Sequence, residues 1–530
     1  MLKLPEAVSR ILSNDERTVF YLVLIINIGY LFYTRFYPSM DGPAHLYNSN
    51  LVRHLILQNS FVGEFYQINS FPVPNWTSHF ILSFFKLFLP GWLSEKMLIV
   101  LYISGMALSF RYLIKVLKPD NLSLSVFIFP FSYSFLFHIG FYNYCLSFIF
   151  LFLTLGYWIK NYHIHYPRLY VVTGLLLLGT YFSNILTYAF LGITLGSIIL
   201  LFELKSNPVN GKGFLSTFSN RAMRLTLCSL PSLLLLFWFF YTVSFPRSMH
   251  QYAASELFKW INDVRTLIVY SYTREEIYTE QFLHILLFLY LLSFFYDVNK
   301  FNLKNKFSNI LQVIVYFPFA LSIVFLFVLP DSSSAGMMSD RLILLIFILF
   351  MILVITQKLP PRIQQIAALL IISLHLTLLT KHSVTLKELD IEAITISESA
   401  RYIEDNSIVL PVNLSDNWLQ GHFSNYLGSD KPLVILDNYE AQVGWFPVQW
   451  NPDGPKILLG DRSSVSGLAW YESKGTTIRQ IDYIFIYGNL SKLQDNKWLK
   501  LNEILSSGYI LEFESENKNI RLYKINLKPF

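Results

Sequence analysis

Asp41 and His45 stand four residues apart in Met40-Asp41-Gly42-Pro43-Ala44-His45-Leu46-Tyr47-Asn48, and Asn48 follows three residues on. On a helix these three side chains share one face. A carboxylate there can take the proton of an attacking hydroxyl as a general base, and His45 and Asn48 can hydrogen-bond a polar substrate. Asp-x-x-x-His alone is a weak metal pattern. A divalent metal is therefore not the favoured reading, and no metal ligand is assigned. The structural alternative for Asp41 is helix capping, because Asp ahead of Gly-Pro is a strong N-cap signal. Capping and catalysis are compatible.

Further candidates lie along the chain. His79 and Lys86 fall in the short apolar run 78–89. His79 reads as a phosphate contact or a structural hydrogen bond, and Lys86 is expected to snorkel to headgroups. Tyr142, Asn143, Ser183 and Asn184 occupy uncharged turns between apolar runs. Amides and aromatic rings suit sugar hydroxyls, and they equally cap helix ends. Arg341, after Asp340, opens an apolar run. An arginine at that depth needs an anion: Asp340, Asp331 or a lipid phosphate held by the planar fork. Near the C-terminus, Asp416-Asn417-Trp418, His422 and Asp437-Asn438-Tyr439-Glu440 are dense in polar and aromatic groups. They read as the lining of an acceptor site or as ordinary loops.

The elements that must position these residues are set by hydropathy. The 530 residues are 53% hydrophobic and only 14% charged, against about 25% charged in a soluble domain. A span needs about 20 mainly apolar residues. Such runs occur near 18–36, 92–114, 122–138, 142–159, 168–182, 187–203, 223–243, 281–297, 309–329, 341–357 and 363–380. The fold class predicted is a polytopic α-helical membrane protein of about eleven spans. The segment 78–89 is too short to cross. With it excluded, Lys3, Arg10, Arg17, Lys115, Lys118, Lys160, Arg168, Lys205, Lys212, Arg221, Arg224, Lys300, Lys304, Lys306, Lys358 and Arg362 fall on one side, which is the cytoplasmic one. The N-terminus is then cytoplasmic, and everything after residue 380 is external. Helices at 44–58, 78–89 and 253–270 are expected on the membrane surface.

Residues 1–380 thus form a transmembrane domain with an external loop at 37–91, and 381–530 an external α/β domain. The latter carries strand patterns at 408–413, 433–436, 483–487 and 509–513, the last forming a hairpin with 520–525. The net charge of +6 is modest, so its distribution reports orientation rather than nucleic-acid binding. Cys145 and Cys228 both sit in apolar runs, which argues against a disulfide framework. The chain has no P-loop, dinucleotide fingerprint or zinc-spaced Cys/His cluster.

This layout resembles the GT-C superfamily of membrane glycosyltransferases, which includes protein O-mannosyltransferases and lipid A aminoarabinose transferases. The matching strings are Met40-Asp41-Gly42-Pro43-Ala44-His45, Pro74-Asn75-Trp76-Thr77-Ser78-His79 and Gly140-Phe141-Tyr142-Asn143-Tyr144. The resemblance implies an inverting transferase that takes a sugar from a polyprenyl-phosphate donor in the membrane. Asp41 would be its base. His45, Asn48, His79, Tyr142, Asn143, Asn184 and Arg341 would be substrate contacts, and the acceptor a glycan, lipid or protein hydroxyl. It also implies a multi-pass protein of a bacterial inner membrane. Many members carry a second acidic residue where this chain has Tyr142 and Asn143. The alternative reading is a non-catalytic scaffold or lipid-handling protein with an external partner-binding domain.

Overall fold

The computed structural model describes residues 16–163, 166–206, 212–243, 249–296, 310–332, 336–458 and 473–526. Lys3, Arg10, Lys300, Lys304 and Lys306, which carry part of the orientation argument, lie outside the described residues. The chain divides into two compact units. One comprises 1–31, 100–138 and 143–384; the other comprises 32–99, 139–142 and 385–530.

The first unit is a helical bundle. Among the described residues, eight helices are long and apolar enough to cross a membrane, rather than eleven. The three expected spans not among them are nonetheless helical. Glu16–Leu31 has 16 residues and Pro167–Ser183 has 17, while the apolar part of Ile310–Val328 is Ile314–Val328. At 1.5 Å per residue these are marginal for a core of about 30 Å. Met338–Ile355 is buried along nearly its whole length, whereas Gly213–Thr242 exposes Leu234, Phe237 and Tyr241. An apolar face of that extent is one that a bilayer would cover. The surface helix expected at 253–270 is shorter, Ala254–Asn262. It ends because Val264 takes a left-handed conformation, φ 50°, which no helix continues.

The second unit is α/β. Its core is a five-stranded sheet of β1 (Ile408–Leu414), β2 (Val434–Ile435), β3 (Tyr483–Gly488), β4 (Tyr509–Glu514) and β5 (Ile520–Ile525), in spatial order β4-β5-β3-β1-β2. The hairpin β4-β5 and the pair β5-β3 are antiparallel; β3-β1 and β1-β2 are parallel. The central strands are nearly continuous hydrophobic runs, as strands buried on both faces must be. Val409, Val412, Ile484, Phe485 and Ile486 are all fully buried. Edge strand β4 leaves Ile510 and Leu511 half exposed.

Two helices from the first loop complete this unit: α1 (Gly42–Ile56) and α2 (Thr77–Phe85). Pro43 in its first turn starts α1, where the missing N–H costs nothing. Residues 42–51 are buried throughout, so α1 is an interior element and not one lying on a membrane surface. The reason is its polar face. Tyr47 donates to the Leu433 carbonyl at 2.8 Å and accepts from the Ile435 amide at 3.0 Å, while Asn50 donates to the carbonyls of Gly428 and Lys431. Helix α2 has nine residues, about 13 Å, too short to cross. Lys86 at its end does not snorkel. It is buried and ion-paired to Asp430 at 2.8 Å. Strand Tyr66–Ile68 pairs antiparallel with Val448–Trp450, and the Tyr66 and Trp450 rings stack at 4.2 Å.

Candidate active site

Asp41 is held by its backbone before its side chain is considered. The chain leading to it is anchored by carboxylates. Asp390 accepts from the amides of Arg35 and Phe36, and Glu95 from that of Tyr37. The amide of Asp41 then donates to the Ile139 carbonyl at 2.8 Å. Gly140, at φ +98°, makes that approach feasible. A Cβ there would lie 2.7 Å from the Gly42 nitrogen and 2.9 Å from the Asp41 nitrogen, so both the conformation and the space demand glycine.

The carboxylate of Asp41 does not cap α1. Ser39 Oγ does so instead, accepting from the Gly42 amide at 3.1 Å, and Ser39 is itself bonded to the Tyr142 hydroxyl at 3.0 Å. Asp41 is buried and receives a hydrogen bond from the Tyr439 hydroxyl. His422 Nε2 lies 3.7 Å from its Oδ1. The His422 ring stacks on Tyr439, centroids 4.3 Å apart. Enclosure pushes the His422 imidazole well below its ordinary pKa, which Glu440 only partly opposes, so this ring is neutral beside the carboxylate.

Next to Asp41 is a buried cluster of His45, His79 and Glu440. Glu440 lies in a single helical turn, α3 (Glu440–Val443). Its Oε1 is 2.6 Å from His45 Nδ1, and its Oε2 is 2.7 Å from His79 Nε2. The other nitrogen of each ring meets a backbone carbonyl: Gly140 at 2.9 Å for His45 and Asn75 at 3.2 Å for His79. The rings pack edge to face at 4.9 Å, and Tyr142 lies 5.6 Å from His45. Burial would raise Glu440, but the two imidazoles overcome it and hold the carboxyl at about 2. Burial also disfavours charge on His45, yet Glu440, Asp41 and the Gly140 carbonyl outweigh it and raise that ring. For His79 burial wins, and its pKa falls despite Glu440.

Four of the eight residues singled out from sequence therefore gather in this unit around Asp41: Asp41 itself, His45, His79 and Tyr142. Asn48 belongs to the same unit, with its amide turned to Asn438 at 3.0 Å. Asn143, Asn184 and Arg341 belong to the helical unit. There Asn184 Oδ1 accepts from the amides of Leu186 and Thr187, the geometry of a helix cap. The Arg341 guanidinium lies over the Tyr144 ring, 5.6 Å from its centroid. Asp340 faces Arg265 at 4.0 Å. The sequence reading left Glu440, Tyr439 and His422 between acceptor site and ordinary loop. The density of polar and aromatic residues in 437–440 was the only signal available for them. No protein-family model matches the chain, and no curated protein matches it in sequence. The chain is a polytopic helical membrane protein that also carries a C-terminal region of β-strands and short helices.

Proposed function

We propose that the chain is an inverting glycosyltransferase of the GT-C type, moving a sugar from a polyprenyl-phosphate donor to an acceptor hydroxyl at the external membrane face. The observation that supports this reading most is the state of Asp41. It is a buried carboxylate just after the first apolar helix, relieved of capping by Ser39 and set among Tyr439, His422 and Tyr142. A residue kept only as a cap would bond its own helix.

In the reaction, the acceptor oxygen attacks the anomeric carbon and forms the new glycosidic bond as its proton passes to Asp41. The bond from that carbon to the phosphate oxygen breaks, and polyprenyl phosphate leaves with the electron pair. The acceptor class is a glycan, lipid or protein hydroxyl. The setting is a bacterial inner membrane, with the N-terminus cytoplasmic and the α/β unit external.

The test is sugar transfer from a labelled pool of polyprenyl-phosphate donors by the purified full chain. Asp41→Asn should leave the melting temperature near that of the parent and lower transfer by about 10²–10⁴. Full transfer by that variant overturns the assignment of the base. A parent that neither binds nor turns over any donor favours the scaffold.

A further inference from the structure

His45 and His79 are each fixed in one tautomer. A backbone carbonyl only accepts, so the hydrogen of His45 sits on Nε2, facing Gly140 at 2.9 Å. His79 Nδ1 faces the Asn75 carbonyl at 3.2 Å and the Ser78 hydroxyl at 3.4 Å, and the closer carbonyl places the hydrogen on Nδ1. On neutral rings the remaining nitrogens, His45 Nδ1 and His79 Nε2, are bare lone pairs. Both are directed at Glu440, whose ionised carboxylate also offers only lone pairs. His45 Nδ1 and Glu440 Oε1 approach to 2.6 Å but miss hydrogen-bond alignment, and neither atom has a hydrogen-bond partner among the described residues. The three side chains are at most 4% exposed.

Lone pairs facing lone pairs in a buried site repel unless positive charge lies between them. Protonating His45 alone leaves His79 Nε2 and Glu440 Oε2 lone pair to lone pair at 2.7 Å, and doubly protonating both rings would set two imidazolium ions edge to face, centroids 4.9 Å apart, away from water. A single cation at the point of convergence satisfies all three groups at once. We propose that His45 Nδ1, His79 Nε2 and the Glu440 carboxylate are the protein ligands of a divalent transition-metal ion, zinc by the chemistry of the set.

Two imidazoles and a carboxylate favour zinc and its neighbours over magnesium or calcium, which prefer all-oxygen shells. The ligand atoms all lie within 4.8 Å of one another. Tetrahedral zinc at 2.0–2.2 Å from each would separate them by roughly 3.4 Å, so the ion is seated by an adjustment of about 0.8 Å at the His45–Glu440 contact and of up to about 1.4 Å between the ligand atoms farthest apart. The second shell is already in place, since each ring donates its other N–H to a backbone carbonyl, the arrangement that orients metal-ligating histidines. Three protein ligands leave a position open for water or a substrate oxygen. Asp41, one helical turn before His45, is not part of the set. The metal site therefore does not depend on the glycosyl-transfer reading.

Cobalt(II) is the probe. Full-length protein in detergent is stripped with a chelator and titrated with Co²⁺ while visible absorption is followed. One Co²⁺ per chain is expected, with the ligand-field bands of a four- or five-coordinate site, displaced by an equivalent of Zn²⁺. His79→Ala and Glu440→Gln should each weaken Co²⁺ binding at least a hundredfold, while His284→Ala in the helical unit leaves it unchanged. X-ray absorption of the zinc-loaded parent should show scattering from two imidazoles, a readout that needs no variant to fold. A parent that binds no Co²⁺ at millimolar concentration, a spectrum without imidazole scattering, or binding unaltered in folded Glu440→Gln would overturn the proposal.

Discussion

Asn48 and Asn438 exchange amide hydrogen bonds in both directions, Nδ2 to Oδ1, at 3.0 and 2.8 Å. Both residues are fully buried. Asn48 is three residues after His45 and Asn438 two before Glu440, so the pair fixes the register in which Glu440 meets the histidines. Asn438→Ala takes the donor from Asn48 Oδ1, while Asn48 Nδ2 keeps the Ala44 carbonyl at 2.9 Å, and should cost about 1–3 kcal/mol. That loss would appear as a melting temperature lower by several degrees. A double-mutant cycle with Asn48→Ala should give a coupling above about 0.5 kcal/mol, and additive losses would show that the pair does not act as a unit.

Asp437 should make the stability of the α/β unit depend on pH. Burial lifts its carboxyl from 3.8 to about 7, against the hydrogen bond from Ser424 at 2.9 Å. The folded chain thus holds this proton more tightly than the unfolded one. Its contribution is complete below pH 3.8 and is lost as pH rises through about 7, at up to about 1.4 kcal/mol per pH unit. Asp437→Asn removes this titration. Its advantage in melting temperature over the parent should widen from pH 5 to pH 8, and parallel curves would contradict the assignment.

Gly140→Ala tests the turn beneath Asp41. The added Cβ would lie 2.7 Å from the Gly42 nitrogen and 3.0 Å from Asp41 Cβ, in a backbone conformation at φ +98°. Strain of about 1–3 kcal/mol is expected, with sugar transfer falling at least tenfold because Asp41 must shift. Unchanged transfer together with an unchanged melting temperature would show that this turn does not set the position of the carboxylate.

Arg341 is implied by the resemblance to GT-C enzymes as a contact of the donor phosphate, which a substitution tests. It lies in the first turn of Met338–Ile355, over the Tyr144 ring. Arg341→Lys keeps the charge and loses the planar fork. Donor affinity should fall about tenfold, the scale of one charged hydrogen bond, with folding preserved. Donor binding by Arg341→Gln as tight as the parent's would remove Arg341 from the site.

What could be read from the sequence was what depends on neighbours along the chain. Hydropathy located the long apolar helices of the bundle among the described residues. Among the described residues it counted three spans more than the length allows, because Glu16–Leu31, Pro167–Ser183 and Ile314–Val328 are apolar but short of the roughly 20 residues of a span. Alternating and β-branched runs located the five strands. Local spacing singled out Asp41, His45, His79 and Tyr142. Contacts between distant segments were hidden. The contact between His79 and Glu440 joins residues 361 apart, and Lys86 finds Asp430 across 344. Lys86 therefore read as a membrane-facing cation. The interior position of α1 was likewise hidden, since its partners at Leu433 and Ile435 lie in β2 and the turn before it.

The composition of the second unit, residues 32–99 with 385–530, has a consequence for how the protein is made. Synthesis at roughly 5–20 residues per second separates residue 99 from residue 385 by roughly 15–60 s. Throughout that interval Tyr47, Asn48 and Asn50 have emerged from the ribosome, but the carbonyls and amide that satisfy them do not yet exist. The delay lasts through residue 525, because β5, the last strand described, is an inner strand of the sheet between β4 and β3. A nascent chain arrested before residue 434 carries both histidines but neither Glu440 nor the strand that seats α1. The cluster of His45, His79 and Glu440 can thus close only after residue 440 has been made, and until then the polar face of α1 waits without its partners.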